Sequence, residues 1–378
     1  MESRKPKKGE GVPKETPARN NIAALQNILA QHFPRQAKRD LRTELEQRGF
    51  FQIGMLEQVR LLAQVAFELS EAHNDGASLI TALSKSPVEK IRALAAFVVP
   101  LIYGADLKQQ LECLRFTGAL EGTWPREASA TILHNLVIQH GVKNVLPQIQ
   151  EWIQDDNPAV RRVVTEALRS RGVMLAHISE LKEDPTPLKK ILAPLLDDDS
   201  DYVQKSVANN LNDISKDNPE IILEWTKEWN TPNATKQRHW ILARALRTLI
   251  EEGHQAALKL LGYGTNANLK VTWQDNTPRR IKINQFLPCD LEIVNLAKTD
   301  ASVVALLSMD EPGKGKARRK STYQIWKGKI KAGETKSVSK KIHFVDKNSR
   351  PRVEGAYGLS VMINGKKLEA REMIFKRG

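Results

Sequence analysis

Residues 155–172, "DDNPAVRRVVTEALRSRG", and residues 197–215, "DDDSDYVQKSVANNLNDIS", are two versions of one pattern. At an offset of 43 residues, Asp156 falls on Asp199, Val160 on Val203, Arg162 on Lys205, Val164 on Val207 and Leu168 on Leu211. Each copy has an acidic turn followed by apolar residues three and four apart, the pattern of a helix with one buried stripe. A repeat of about 40 to 47 residues made of helix pairs is the period of HEAT-type solenoids, in which each unit buries its apolar face against its neighbours. Residues 84–100, "SKSPVEKIRALAAFVVP", read as a further copy, and residues 123–141, "TWPREASATILHNLVIQHG", as a looser one. Asp156 and Asp199, just ahead of helix starts, are expected to serve as N-caps or helix-dipole partners.

Outward from these copies, helical spacing runs from about Asn21 to Tyr263 without strand-like alternation. After "LLGYG" (260–264) the text becomes short alternating runs, among them "LKVTWQ" (269–274), "LEIVNL" (291–296), "YQIWKGKI" (323–330), "KSVSKKIHFV" (336–345) and "GLSVMI" (358–363). That rhythm predicts an antiparallel β-sandwich of about a hundred residues. Asn364 and Gly365, set between alternating apolar residues, specify a two-residue type I′ hairpin. Gly333 in "KAGETKS" (331–337) marks another turn. "DEPGKGKARRKSTYQ" (310–324) reads as a basic loop, either flexible or phosphate-tracking. The fold class is thus multidomain, α then β: an all-α HEAT-like helical-repeat solenoid followed by an antiparallel β-sandwich. The expected division is a disordered basic arm at 1–20, a helical domain at 21–264 and a sandwich at 265–378.

The 378 residues carry 58 Lys+Arg against 44 Asp+Glu, a formal charge of +14. Residues 1–20 hold +3, residues 21–264 hold −2, and residues 265–378, with 24 basic against 11 acidic side chains, hold +13. A field of that sign gathers polyanions, nucleic acid first, with an anionic membrane surface as the other class. Cys113 and Cys289 stand far apart and outside any CxxC or Cys/His cluster, which indicates neither a disulfide framework nor a zinc site and fits a reducing cytoplasm. The first twenty residues contain no apolar h-region, and no run approaches the roughly 18 apolar residues of a spanning helix, so no membrane partner is expected. P-loop, dinucleotide, HExxH and Ser/His/Asp motifs are absent from the text, and no cofactor or metal is expected. His134, His239 and His254 are scattered and read as surface or packing residues.

Placed on a helical wheel, Val203, Val207, Leu211 and Ile214 share one side, with Asn210 at its margin; Lys205, Asn209 and Asp213 lie opposite. In the preceding copy Val160, Val163, Val164, Ala167 and Leu168 form the buried side, while Arg162 and Glu166 face away. Because repeats stack in register, Glu166 and Asn209 are equivalent and Asp213 is one turn beyond, so both carboxylates are expected on one solvated surface. Arg161, Arg162 and Lys205 surround them, with Arg238, Arg244 and Arg247 supplied by the next helix. Asn210 is expected to make a backbone or inter-helix hydrogen bond, and Asn212 to be exposed. Trp225 and Trp229 read as packing residues; Trp240, beside "KQRH", suits packing or ligand contact. Two carboxylates on a polyanion-binding face oppose its affinity, so their presence asks for a reason other than binding.

"VRRVVTEALRSRG", "PLLDDDSDYVQKSVANNLNDISKDNPE" and "ALRTLIEEGHQAALKLLGY" resemble the AlkC branch of the HEAT-like repeat DNA glycosylases, related to AlkD. "GKIKAGETKSVSKKIHF" and "YGLSVMINGKKLEAREMIF" are similar to the immunoglobulin-like domain that one AlkC subgroup carries. The resemblance implies a monofunctional glycosylase that excises cationic alkylated bases, of the 3-methyladenine type, from double-stranded DNA without full base flipping, and the chain is expected to be a monomer. It implies catalytic roles for Asp213 and Glu166. The cations named above, with Asn209, Trp240 and, in the sandwich, Lys314, Lys316, Arg318, Arg319 and Lys320, would then contact DNA. In the earlier repeat the chain reads "EASATILHNL", where Glu127 is a candidate acid, and Met174 with "GVMLAH" replaces the family's tryptophan after Glu166. The chemistry suits the residues: an N-alkylated purine already carries positive charge, and its glycosidic bond breaks through an oxocarbenium-like sugar that a carboxylate stabilises. The alternative reading is a HEAT-repeat DNA-binding protein that has lost the chemistry.

Overall fold

The computed structural model describes residues 17–33, 40–70, 76–172, 175–264, 268–274, 276–313, 315, 317–346 and 351–377. Helices come first: α1 (Pro17–His32), α2 (Leu41–Gln47), α3 (Met55–Ser70), α4 (Gly76–Ser84), α5 (Glu89–Tyr103), α6 (Leu107–Gly118), α7 (Thr123–His140), α8 (Val142–Ile149), α9 (Pro158–Ala167), α10 (Ser179–Glu183), α11 (Lys189–Leu192), α12 (Asp201–Asp217), α13 (Pro219–Trp229), α14 (Lys236–Ala245), α15 (Arg247–Glu252) and α16 (Gln255–Leu260). Strands follow: β1 (Leu269–Trp273), β2 (Arg280–Lys282), β3 (Phe286–Asn295), β4 (Ala301–Pro312), β5 (Arg318–Ile330), β6 (Thr335–His343), β7 (Gly355–Ile363) and β8 (Lys366–Lys376). Helix α1 opens at Pro17, so the arm expected to be disordered through residue 20 is helical over its last residues; proline's fixed φ suits a first helical position. By its contacts the chain divides into two compact units, Met1–Asn210 and Leu211–Gly378, with the division inside α12.

In the first unit α3, α5, α7 and α9 pack successively side by side, while α4 packs on α5 and α6 packs on both α5 and α7. The buried stripes are those the periodicity marks, such as Ile91, Leu94 and Val98 of α5 and Val160, Val163, Val164 and Ala167 of α9. The repeat is also written in single hydrogen bonds. Arg92, Gln110, Arg161 and Gln204 each donate to the carbonyl six residues back, on Ser86, Gly104, Asp155 and Asp198. The acids that organise the turns are Asp155 and Asp198, which accept the amides of Asn157 and Ser200. Asn157 caps α9 through the Ala159 amide. Asp156, expected as a cap, stands one residue before Asn157, and both Asp156 and Asp199 are exposed, the amide-accepting acids of these turns being their predecessors. His134 is fully buried, its two ring nitrogens each 2.8 Å from a carbonyl oxygen, of Ala167 and of Ala176, so it is a packing residue inside the helical unit.

The second unit joins the end of α12 and α13–α16 to the sandwich. One sheet has strand order β1-β3-β6 and the other β2-β8-β7-β4-β5. Pairing is antiparallel except for β2 with β8, which run parallel, a departure from the expected all-antiparallel sandwich. Phe344, Tyr357 and Phe375 meet in the core, and the Tyr357 hydroxyl donates to the Val353 carbonyl at 2.8 Å, the tyrosine-corner device of immunoglobulin-like sandwiches. Asn364 (φ 45°) and Gly365 (φ 79°) form the left-handed pair expected of the β7–β8 turn. A Cβ on Gly365 would lie 2.9 Å from the Gly253 carbonyl oxygen, so the hairpin tip packs directly on the turn before α16. The basic stretch 310–324 is not a long loop: β4 reaches Pro312 and β5 begins at Arg318. β5 is an edge strand, and its run of cations suits an edge left open to water.

Candidate nucleic-acid and catalytic site

Arg162 on α9 is the hub of a polar cluster in the first unit. Its guanidinium donates to Glu127 Oε1 and the Tyr202 carbonyl, each at 3.1 Å, and pairs with Glu166 Oε1 at 3.2 Å. It also lies 3.8 Å from the Tyr202 ring centroid, with Arg126 at 4.1 Å from the same ring. The Tyr202 hydroxyl donates to Glu127 Oε1 at 3.0 Å. Burial pushes the Tyr202 phenol above its usual range, with Arg162 pulling the other way. Glu166 takes a second cation, Arg169, at 3.0 Å, and its side chain is 11% exposed. The solvated carboxylate expected here is therefore mostly sunk between two guanidinium groups. Glu127, on α7, is joined to the cluster although 35 and 75 residues separate it from Arg162 and Tyr202. Only a secure register for the looser copy at 123–141 would have placed it, and that copy matches the others too loosely to fix one.

Arg161, expected beside the carboxylates, is committed to scaffold. It donates to both carboxylate oxygens of Asp198, at 2.7 and 2.9 Å, to Asp199 at 3.1 Å and to the Asp155 carbonyl. The Asp198 hydrogen bonds hold its pKa above the ordinary value. Lys205 is exposed and Asn209 half-buried. Asn210 donates to the Thr165 carbonyl at 2.9 Å, the inter-helix bond its position implied.

In the second unit Asp213 is buried, 2% exposed, and pairs with Lys216 at 2.7 Å. The wheel placed it on open surface; α12 is in fact covered on more than one side. Asn212, expected to be exposed, is 1% exposed, and its Oδ1 accepts the Thr248 amide and hydroxyl at 3.1 Å. Trp225 and Trp229 are buried with ring centroids 5.4 Å apart, as packing residues. Trp240 is 41% exposed. Trp240, Arg244, Arg247, Glu251, Gln324 and Lys327 converge on a cavity of 250 Å³. Burial and Arg247 lower the Arg244 pKa, and its Nε finds no hydrogen-bond partner among the described residues. Glu251 also lines a neighbouring polar cavity of 370 Å³ with Thr248 and Lys320, and burial pushes its carboxyl above the ordinary range. Arg238, half-buried, is not among these lining residues. Arg318 is tied to Asp310 at 2.7 Å and Arg319 to the Pro351 carbonyl at 3.0 Å. Lys314, Lys316 and Met174 lie outside the described residues. Among the described residues no His/Cys/Asp/Glu cluster could hold a metal, and no helix is long and apolar enough to cross a membrane.

Carboxylates sunk among arginines and lysines in a helical-repeat frame are the setting in which comparison with known proteins becomes informative. The model of the DNA alkylation repair enzymes matches residues 26–249. The chain belongs to the DNA alkylation repair enzyme family. It is 33% identical over 223 residues to the uncharacterised protein YhaZ of Bacillus subtilis, an alignment spanning 59% of this chain and 61% of YhaZ. Its fold is that of the Pseudomonas fluorescens alkylpurine DNA glycosylase AlkC, solved bound to DNA containing an abasic site analog. The TM-score is 0.81 at 23% identity, over 94% of this chain and 97% of that one. AlkD2 from Streptococcus mutans gives a TM-score of 0.44 at 26% identity, over 54% and 95% of the two chains. The repair-family match lies within the helical segment, and the likeness to AlkC extends through the sandwich.

Proposed function

We propose that this member of the repair family is a DNA glycosylase that hydrolyses the N-glycosidic bond of cationic alkylated bases, 3-methyladenine among them, in double-stranded DNA. The observation that carries the reading is the burial of carboxylates directly beside basic side chains. Asp213 is 2% exposed beside Lys216, and Glu166 is held between Arg162 and Arg169. A carboxylate kept from water stabilises a developing oxocarbenium ion more strongly than a solvated one, and its ion pairs fix it before the reaction begins. Asp213 and Glu166 are assigned that role and the positioning of the attacking water. Glu127, sharing Arg162 with Glu166, is a third acid for the same work. Trp240, Arg244, Arg247 and Lys320, with Lys205, grip the duplex. The helical segment 21–264 carries the chemistry and the basic sandwich 265–378 a second DNA contact. The chain acts as a monomer at the nucleoid in the cytoplasm.

Mass spectrometry of bases released from methylated duplex DNA tests this. The full chain releases free alkylpurine, and Asp213→Asn lowers the rate by about 10²-fold or more while duplex binding persists. Normal, salt-dependent duplex binding without any base release by the wild type would overturn the enzymatic assignment and leave a DNA-binding protein.

A further inference from the structure

Asp213 has a neighbour whose charge opposes its assigned work. The Lys216 ammonium, 2.7 Å from Asp213 Oδ1, holds the carboxylate in place and also cancels its charge, so the pair by itself offers little field to a developing cation. A further negative charge beside the pair would restore that field. Helix α15 supplies one.

Thr248 of α15 donates its amide and its hydroxyl to Asn212 Oδ1, both at 3.1 Å, which fastens α15 to α12 at the residue before Asp213. About one turn on along each helix stand Glu251 and Lys216, at the three- and four-residue spacings that keep side chains on one helix face. Glu251 lies within the fields of Arg247 and Glu252 on its own helix, of Lys216 on α12 and of Lys320 on β5. It is half-buried and lines both polar cavities, whereas Arg247, Glu252 and Lys320 are exposed to water, which screens them. Arg247 and Lys320 are also assigned to the duplex, whose phosphates take up their charge on binding. Lys216, tied to Asp213, is the cation left facing Glu251.

We propose that Glu251 is a positioning residue for the glycosidic step, which offsets the Lys216 charge so that Asp213 presents an uncancelled carboxylate to the cationic sugar. The inference rests on the glycosylase reading and on Asp213 as the acid that meets the substrate; Glu251 acts through Lys216. Ionised, Glu251 leaves the three side chains with a net negative charge; protonated, it leaves them with none. Burial pushes its carboxyl above the ordinary range, Arg247, Lys216 and Lys320 pull it down and Glu252 adds to the rise. The change between the two states therefore falls at a higher pH than for a solvated glutamate.

Single-turnover release of 3-methyladenine from methylated duplex by the full chain, at saturating enzyme and from about pH 8 to about pH 5, tests the proposal. Glu251→Gln, confirmed as folded by circular dichroism, keeps the shape and removes the charge. It is expected to lower the rate about tenfold at neutral pH, with duplex binding undiminished. The gap closes as the pH falls, because protonation of Glu251 slows the wild type toward the variant. Glu251→Asp recovers most of the loss, and Glu252→Gln, which removes an equal charge in water, keeps the rate within about twofold. Equal rates for wild type and Glu251→Gln, a gap that does not change with pH, or an equal loss in Glu252→Gln overturns the proposal and leaves the glycosylase reading standing. A wild type that releases no base overturns both.

Discussion

The turns before α9 and α12 share one hydrogen-bonding frame and differ in one charge. At each, an Asp accepts the backbone amide two residues on, and a side chain 43 residues from its counterpart donates to the carbonyl six residues back. In the second copy that donor is Gln204, which closes its own turn. In the first it is Arg161, which closes the turn and also grips Asp198, an acid of the following copy. The neutral bond is enough to define a repeat. The charge is an addition that fastens one repeat to the next.

Removing the two donors separates these contributions and gives the largest expected effect. Arg161→Ala leaves the Asp198 carboxylate, 4% exposed, without its cation, and breaking such a pair typically costs about 3–5 kcal/mol. Gln204→Ala at the equivalent position removes one neutral hydrogen bond and is expected to cost about 1 kcal/mol. Chemical denaturation followed by helical circular dichroism measures both, and equal losses would show that Arg161 contributes no more than its turn bond. A second contrast lies in α12, where neighbouring polar residues have unlike work. Asn212→Ala removes the acceptor of the Thr248 amide and hydroxyl and should cost about 1–2 kcal/mol by the same measurement, whereas Lys205→Ala, on the exposed side, should stay within about 0.5 kcal/mol.

These contrasts also mark what could be read before the structure. The 43-residue offset, the stripes of α9 and α12, and the Asn364-Gly365 turn follow from periodicity and local backbone preference, and each stands where it was expected. Asn212 was misplaced because a helical wheel assigns one buried side, while α12 is buried on more than one and Asn212 meets Thr248, 36 residues away. The turn acids were displaced by one residue, since Asp155 and Asp156 carry the same chemistry and only the Asn157 amide selects between them. The basic stretch after Pro312 looked like a loop because an edge strand with one solvated side has a loop's composition. In the candidate site, Glu166 and Asp213 were named but their burial was not foreseen. The bonds of Glu127 to Arg162 and Tyr202 cross repeats whose register the text leaves loose.

The smallest expected effect concerns acid, and it tests whether charge also fastens the preceding repeat. Burial raises the Asp155 pKa, but the Asn157 amide and the Arg115 guanidinium, at 2.6 Å, outweigh it and hold the carboxyl below the ordinary range. A group with a depressed folded pKa contributes stability that is present above its unfolded pKa, about 3.9, and is lost as the pH falls through the folded value. Wild type should therefore be more stable than Asp155→Asn at neutral pH, and the gap in denaturation midpoint should close as the pH falls below about 4. Asparagine can still accept the Asn157 amide, so what disappears in acid is the ionic part, the grip of Arg115 on the next turn. A gap that stays constant down the acid limb would mean that Asp155, like Gln204, acts through its neutral hydrogen bonding alone.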